Sequence, residues 1–209
     1  MPIDIIRPFG PCIGKFKLPT EMVGAVNSYI ENVEKDEEKI ADLDWSSRLV
    51  GKVTQEVRVQ DEVLAPYSEF LTSCVEEYLN QIIPMGVVNF STAPWKIVRR
   101  NGWVVRSYAG DFNPMHVHNN ANICIAGFLK LPNWEEEMHN DNLDHAPARG
   151  KLCFMYGNTV EWSNNTALIE PNVGDCYVFP ASLTHFVYPF KSDGERRSIS
   201  INFDRVYVK

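Results

Sequence analysis

The chain has 209 residues, of which 44% are hydrophobic and 22% charged, so it can form one globular domain with a sizeable core. Its formal net charge of −7 disfavours nucleic acid as a partner, because nucleic-acid binding needs a basic surface. No apolar stretch approaches the roughly 20 residues of a membrane span, so no membrane partner is predicted.

The five cysteines are scattered along the chain, and none of them forms a CxxC pair. A thiolate zinc site is therefore not expected, and buried inert thiols are the simplest interpretation. The amino-terminal segment lacks the basic stretch and apolar run of a signal peptide. These features together favour a reducing, cytoplasmic location.

Residues 1–93 are predicted to form a mostly helical support for the rest of the chain. Hydrophobic residues recur at helical spacing over residues 20–35, and Thr20 is a candidate N-cap. A second helix is predicted from about Glu62 to Ile83, where hydrophobic residues again share one face, and the following Pro84 would end it.

From Pro94 onward, short segments rich in β-branched and aromatic residues alternate with turn signals such as NG, AGD and SDGE. The predicted strands are WKIVRR, WVVRSY, NICIAGFLKL, KLCFMY, TALIEP, DCYVFP, HFVYPF and SISINFDRVYV. Strands after a helical preface indicate a mainly β fold with helical support, a sandwich or jelly roll over residues 94–209. With no linker or repeat, residues 1–209 are expected to form a single domain.

The segment from Pro132 to Gly150 is long, polar and acidic, and it contains His139 and His145. Long segments of this kind within compact domains are usually lids, binding loops or disordered. We expect a lid or substrate-facing loop, with both histidines exposed rather than catalytic.

Three other histidines lie where they could hold a metal. His116 and His118 form an HVH motif at the end of a strand-like segment, and residues i and i+2 of a strand point to the same side, roughly 6–7 Å apart. His185 opens a later apolar strand. Imidazole is the commonest metal ligand near neutral pH and suits iron, zinc, copper and nickel. An isolated HxH is more often structural, but the later histidine in a jelly-roll pattern favours a metal site.

Strand alternation in ERRSISINF puts four polar side chains on one face, namely Arg196, Ser198, Ser200 and Asn202. An arginine inside a barrel is costly unless it pairs with an anion. Its planar fork can grip a carboxylate, and the Ser198 hydroxyl could add a hydrogen bond. A one-residue slip of the strand would put Arg197 in this place instead. A structural ion pair of either arginine is the other alternative.

The pattern WVVRSYAGDFNPMHVHNN, then GFLKLP, GDCYVFPASLTHFVYPF and ERRSISINF, resembles the iron(II)- and 2-oxoglutarate-dependent oxygenase superfamily. It looks closest to a prolyl-hydroxylase-related branch found in bacteriophages and marine bacteria. The resemblance covers the C-terminal half well and the helical preface loosely. It implies a double-stranded β-helix, Fe(II) as the metal and 2-oxoglutarate as cosubstrate. The implied activity couples oxidative decarboxylation of 2-oxoglutarate to hydroxylation of a substrate, in the cytoplasm of a bacterial or phage-infected cell.

In that superfamily, a His-x-Asp/Glu pair and a distal histidine hold the metal, and a downstream Arg-x-Ser pair binds the far carboxylate of 2-oxoglutarate. Carried over, His116 matches the first ligand and His185 the distal one. Arg196 and Ser198 match the carboxylate clamp. Tyr108 matches a tyrosine that commonly helps to hold the same carboxylate.

One departure from the family pattern concerns the metal ligands. His118 occupies the position of the usual carboxylate, which leaves the site one negative charge short. Asp111 and Asn119 are nearby alternatives, but a proline-containing turn separates Asp111 from the strand.

The same residues also resemble the cupins, which share the β-helix fold. Gly-x5-His-x-His and Gly-x5-Pro-x4-His fit the two cupin motifs, although the glutamate of the first motif is missing. The Arg-x-Ser pair favours the oxygenase, since cupins have no general need for it. The alternatives are a cupin-type metal enzyme, as a three-histidine dioxygenase or isomerase, and a non-catalytic phage structural or binding protein. The expected partner is a small-molecule or peptidyl substrate, and a homo-oligomer is left open.

Overall fold

A computed structural model describes residues 3–6, 10–48, 51–85, 94–133, 137, 148–162 and 164–208. The helices in these ranges are α1 (Thr20–Val33), α2 (Glu37–Leu43), α3 (Asp61–Leu64) and α4 (Ser68–Ile82). The strands are β1 (Asp4–Ile6), β2 (Ile13–Lys17), β3 (Gln55–Arg58), β4 (Trp95–Ser107), β5 (Asn113–His116), β6 (Ile123–Lys130), β7 (Leu152–Met155), β8 (Thr166–Ile169), β9 (Asp175–Pro180), β10 (Thr184–Val187) and β11 (Arg196–Tyr207).

The strands form two sheets. The major sheet has the order β1-β2-β9-β6-β11-β4-β3, and the minor sheet has the order β5-β10-β7-β8. The strands of both sheets pair antiparallel, for example β11 with β4 and with β6. This arrangement confirms the predicted mainly β jelly roll with helical support.

Two buried clusters hold the layers together. One joins the helices to the outer face of the major sheet and includes Val26, Leu71 and Ile199. The other fills the space between the two sheets and includes Phe128 and Phe154. Each fully buried side chain of this size contributes about 1.5–3 kcal/mol. Phe128 on β6 is therefore part of the apolar core between the sheets, while Arg196, Ser198 and Ser200 on β11 line a cavity in the same space.

The first predicted helix is confirmed as α1, but Thr20 is its first helical residue rather than a capping side chain. The predicted helix from Glu62 to Ile83 is interrupted. It consists of α3, a 3-10 turn at Ala65–Tyr67, and α4. Pro66 lies in that turn, where its missing N–H and its ring are incompatible with a continuous α-helix.

The strand predictions differ from the structure in three places. The NG pair does not make a turn, because β4 continues through it with a register shift opposite Asn202 and Phe203. Strand β5 contains Pro114, which is tolerated because β5 is an edge strand of the minor sheet. The first 93 residues are also less uniformly helical than predicted, since β1, β2 and β3 complete the major sheet.

Most of the predicted lid lies outside the described residues, including His139 and His145, and the prediction for that segment stands as it was. All five cysteines are buried thiols that form no disulfide, as expected. Within the described residues, no helix has the length and apolar character needed to cross a membrane.

Candidate active site

The three histidines of the two motifs meet at the end of the minor sheet. His116 is the last residue of β5, and it lies directly opposite His185 of β10 in the antiparallel register. His118 follows β5, and its backbone amide donates a hydrogen bond to the carbonyl of Ala181 at 2.9 Å. One ring nitrogen from each histidine lies within 4.8 Å of the others. The pairing of β5 with β10 and the hydrogen bond between His118 and Ala181 therefore bring the three rings together.

Hydrogen bonds fix the tautomer of all three rings. Nδ1 of His116 lies 2.8 Å from the carbonyl oxygen of Pro114, and Nδ1 of His185 lies 2.8 Å from that of Leu183. Carbonyl oxygens only accept, so each Nδ1 carries the proton and each Nε2 presents a lone pair. Such partners orient metal-binding imidazoles in proteins.

His118 is held in the same way by a side chain. Its Nδ1 lies 2.7 Å from Oδ1 of Asn202, on the inner face of β11. Among the described residues, no carboxylate joins the histidine cluster. Asp111 is buried elsewhere, where it accepts hydrogen bonds from the amide and hydroxyl of Thr54 and from the amide of Tyr108. The carboxylate slot of the family pattern is thus filled by an oriented imidazole.

The environment keeps the three imidazoles neutral. Burial lowers the pKa of His116 and of His118. Burial, together with the proximity of His116, lowers the pKa of His185 to about 3. Neutral imidazoles with free Nε2 atoms are the form that binds divalent transition metals, and imidazole suits iron. The donor set therefore fits an iron(II) ion.

An inner cavity begins at His116 and His185 and extends between the sheets. Arg196, Ser198 and Ser200 of β11 line it, together with Ser107 at the end of β4. Phe128 and Leu152 provide apolar wall. The cavity thus has imidazoles at one side and a guanidinium at another.

Arg196 is 2% exposed, and it has no carboxylate partner among the described residues. Its Nε donates to the carbonyl of Gly150 at 2.9 Å, and its Nη1 donates to Oγ of Ser198 at 3.1 Å. Its guanidinium carbon lies 5.2 Å from the centre of the Phe128 ring. Burial lowers the pKa of Arg196 to about 10, so it stays charged at neutral pH. The cavity therefore contains a buried positive charge that none of the described carboxylates neutralises.

Arg197 faces the helices on the other side of the sheet, so the strand has the predicted phase. It pairs with Glu195 through two contacts, at 2.8 and 2.7 Å. Arg106 donates to the same carboxylate at 2.7 Å. The Arg197 alternative left open by the sequence is therefore a structural ion pair.

Tyr108 does not reach the inner cavity. Its hydroxyl accepts a hydrogen bond from Nη2 of Arg106 at 2.8 Å, on the helix side of the major sheet. Tyr108 and Arg106 are two residues apart and share that face, whereas the inward position belongs to Ser107. The geometry gives no support to Tyr108 as a carboxylate ligand.

An outer cavity of about 250 Å³ adjoins the third histidine, His118. Its lining includes Trp45, Glu56, Trp103 and Asn202. The sequence pattern did not reveal Trp45 and Glu56 as lining residues. Both come from the amino-terminal half, and only the pairing of β3 with β4 brings them to the site. Asn202 could have been found, because alternation along β11 already put it on the face of Arg196.

A family model described as "Putative 2OG-Fe(II) oxygenase" matches residues 101–202, which contain all three histidines and Arg196. Among curated protein sequences, no relative matches this chain.

Solved structures share the fold at low identity. A Pseudomonas putida prolyl-4-hydroxylase has a TM-score of 0.59 and 16% identity, over 92% of this chain and 91% of that chain. A Trichoplax adhaerens prolyl hydroxylase in complex with a hypoxia inducible factor peptide fragment has a TM-score of 0.55 and 18% identity, over 93% of this chain and 83% of that chain. HygX from Streptomyces hygroscopicus, with nickel and 2-oxoglutarate bound, has a TM-score of 0.53 and 12% identity, over 94% of this chain and 83% of that chain.

The fold and the site define a jelly-roll protein in which three histidines that could hold a metal ion lie beside a cavity with a buried guanidinium. Residues 101–202, which carry this site, match the family of iron(II)- and 2-oxoglutarate-dependent oxygenases. The protein is an enzyme of this class, with Fe(II) as cofactor and 2-oxoglutarate as cosubstrate.

Proposed function

We propose that the enzyme couples oxidative decarboxylation of 2-oxoglutarate to hydroxylation of a C–H bond in a small-molecule or peptidyl substrate. His116, His118 and His185 would hold the iron. Arg196 and Ser198 would hold the carboxylate of 2-oxoglutarate that is far from the metal. When bound, iron(II) supplies the redox chemistry for the reaction with dioxygen.

One observation carries this proposal, and it is the charge of Arg196. A buried guanidinium without a counterion costs free energy, so proteins seldom keep one unless a ligand supplies the anion. The same cavity is lined by His116 and His185. A dicarboxylate placed there can meet the guanidinium at one end and the metal-binding imidazoles at the other. Neither a cupin isomerase nor a structural protein has a need for this pairing.

The chain's own residues have three tasks in this scheme. The Nδ1–H hydrogen bonds hold the imidazoles in place, so the metal site is formed before any ligand arrives. Arg196 and Ser198 orient the cosubstrate. Phe128 and Leu152 keep that part of the cavity apolar, which strengthens the contact between the guanidinium and a carboxylate.

A peptidyl substrate is supported by the Trichoplax adhaerens relative, which is in complex with a peptide fragment. A small molecule fits the outer cavity of about 250 Å³ equally well. We also propose that the chain forms a single domain, because β1, β2 and β3 from its first half complete the major sheet.

The metal ligands can be tested by comparing alanine variants. We expect His118→Ala to lower iron(II) affinity about as severely as His116→Ala, at least about a hundredfold, because each removes one of three ligands. His118→Asp should keep the metal, since it restores the usual carboxylate. Titration of the purified variants with iron(II) under anaerobic conditions measures this. An unchanged affinity in His118→Ala, beside a lost affinity in His116→Ala, would remove the three-histidine site.

The activity itself can be tested by loading the protein with iron(II) and 2-oxoglutarate without oxygen and then admitting oxygen. We expect succinate to form, slowly without substrate and faster with it. The Arg196→Ala protein should form none at the same cosubstrate concentration. Tight metal binding without any succinate, with or without candidate substrates, would argue against the oxygenase activity.

A further inference from the structure

The outer cavity contains a carboxylate that the proposed chemistry does not use. Glu56 lies on β3, next to the inner positions of β4, and it is only 6% exposed. Its side chain lines the cavity together with those of Trp45, Trp103 and His118. The Trp103 side chain donates a hydrogen bond to it.

No lysine or arginine among the described residues forms an ion pair with Glu56. The nearest basic residue along β3, Arg58, is exposed, and its guanidinium carbon lies 5.9 Å from the centre of the Trp45 ring. Burial, together with the negative charge of Asp44, raises the pKa of Glu56 to about 7. Glu56 is therefore a buried acid without an ion-pair partner in the described part of the chain.

The rest of the lining also favours a donor-rich ligand. Oδ1 of Asn101 lines this cavity, is buried and has no hydrogen-bond partner. Indole rings attract cations through their negative faces, and Trp45 already attracts the Arg58 guanidinium on one side. A buried carboxylate and an amide oxygen without a hydrogen-bond partner, in a cavity lined by two indoles, form an environment that suits an ammonium group. Carboxylates and other anions are disfavoured there.

From this arrangement we infer that the outer cavity is the substrate site, and that the substrate carries a protonated amine which binds Glu56 between Trp45 and Trp103. This inference rests on the proposed function, because it assumes that the substrate is hydroxylated at a carbon that lies close to His118. The ring of Trp103 lies 5.3 Å from that of His118, centre to centre, so an ammonium ion held at Glu56 leaves its alkyl chain near the histidines. The acidic net charge of −7 adds to the attraction for such a ligand.

The test is calorimetric titration with matched probes at millimolar concentration. The probes are n-butylamine, 1-butanol as its neutral counterpart, and Nα-acetyl-lysine N-methylamide with its Nε-acetylated form. We expect both protonated probes to bind the iron(II)-loaded protein and the neutral ones to bind at least about tenfold more weakly. Tighter binding of the lysine derivative than of butylamine would indicate a peptidyl source of the amine, and the reverse order a free amine.

Glu56→Gln should remove this preference, lowering the affinity for the protonated probes at least about tenfold and leaving the neutral probes unchanged. Trp45→Leu keeps the carboxylate and should lower the affinity about threefold. Glu21→Gln, which changes an exposed acid at the start of α1, should bind like the unmodified protein. Equal affinities of the unmodified and Glu56→Gln proteins would overturn the inference. No binding of either protonated probe, or neutral probes that bind as well, would also overturn it.

The same titrations with 2-oxoglutarate separate this inference from the proposed function. If the unmodified protein does not bind 2-oxoglutarate, the proposed function is contradicted. Binding of the protonated amines to the metal-free protein would still support an ammonium site in that case. Normal 2-oxoglutarate binding without amine selectivity would contradict the substrate class alone.

Discussion

Two neighbouring arginines on β11 are equally buried but have opposite surroundings. Arg197 is 1% exposed, and it forms an ion pair with Glu195, which also forms ion pairs with Arg106 and Lys130. Arg196 is 2% exposed, and none of the described carboxylates pairs with it. The strand's alternation sends one side chain toward the helices and the other into the inner cavity.

Under the proposed function, this difference separates a structural charge, that of Arg197, from a ligand-binding charge, that of Arg196. On the helix face, positive and negative groups satisfy each other and join α1 to the sheet, since Arg197 also donates to the side chain of Asn27 at 3.1 Å. On the cavity face, the desolvation of Arg196 is offset by hydrogen bonds to neutral acceptors and by the Phe128 ring, and not by a described carboxylate. A ligand that supplies a carboxylate recovers that free energy, so a destabilising feature of the free protein becomes a source of affinity.

The comparison is tested most directly by changing each arginine to methionine. Arg196→Met should lower the affinity for 2-oxoglutarate about a hundredfold or more, because a buried carboxylate loses its charged partner. Calorimetric titration of the metal-loaded protein measures this, and the metal content should not change. Arg197→Met should bind 2-oxoglutarate normally. The opposite pattern, with binding lost only in Arg197→Met, would mean that the two roles are exchanged.

The two substitutions should have the reverse effects on stability, with Arg197→Met the more damaging one. Arg197→Met breaks a buried ion pair and should lower the free energy of unfolding by about 3–5 kcal/mol. Arg196→Met removes an unpaired charge and should leave the ligand-free protein at least as stable as before. Urea unfolding without metal or cosubstrate measures both. A large loss of stability in Arg196→Met would show that this guanidinium also has a structural role.

The helix-face network should fail at acidic pH. Although burial opposes the effect, hydrogen bonds from Arg197 and Arg106 lower the pKa of Glu195 to about 2. The unfolded chain therefore binds more protons than the native protein between that pH and the ordinary glutamate range. The contribution of Glu195, on the order of 2–3 kcal/mol, is complete above about pH 5 and is lost as the pH falls toward 2.

The comparison of unmodified protein with Glu195→Gln isolates this contribution. Thermal unfolding should show the variant less stable at pH 7, with the difference narrowing as the pH falls from 5 to 3. The exposed Glu21→Gln serves as the control and should follow the unmodified protein throughout. A difference that stays constant across this range would mean that Glu195 acts through packing rather than charge.

A smaller effect is expected from Asn202, which belongs to the cavity face of the same strand but acts on the metal site. Asn202→Leu removes the acceptor of the His118 Nδ1–H, so iron(II) affinity should fall about tenfold. Asn202→Asp keeps an acceptor and should retain the metal. Ser200→Ala, on the same face and without this contact, is the matched control. Equal metal affinities in all three variants would show that His118 needs no support from β11.

The sequence predicted these positions well where local periodicity determines them. Alternation along one strand put Arg196 and Arg197 on opposite faces, but only the structure decided which of them faces the cavity. The spacing of His116 and His118 was enough to pair them. Their convergence with His185 required a jelly roll, which was inferred from the run of strands and from the family resemblance.

Prediction failed where distant segments determine the structure. Gly102 looked like part of a turn, but an added Cβ there would come 2.9 Å from Leu64, so the glycine lets α3 approach an unbroken strand. Glu56 reaches the outer cavity through strand pairing, which no local pattern revealed. The contact of Tyr108 with Arg106 likewise depends on the helix-face network, and family resemblance alone assigned that tyrosine elsewhere.

The smallest effect should come from substitution of Ser198, which is an uncharged residue on the cavity face of β11. Nη1 of Arg196 donates to Oγ of Ser198, so the hydroxyl hydrogen is directed away from the arginine and is available to a bound carboxylate. Ser198→Ala removes one hydrogen bond and should lower 2-oxoglutarate affinity about three- to tenfold, with metal affinity unchanged. Ser107→Ala changes a hydroxyl of the same cavity that lies opposite Arg196 in the strand register but is not hydrogen-bonded to it, and it should have less effect. Calorimetric titration compares them. If the two alanine variants bind equally well, Ser198 serves only to hold the guanidinium, and the affinity for 2-oxoglutarate comes from the charge of Arg196 alone.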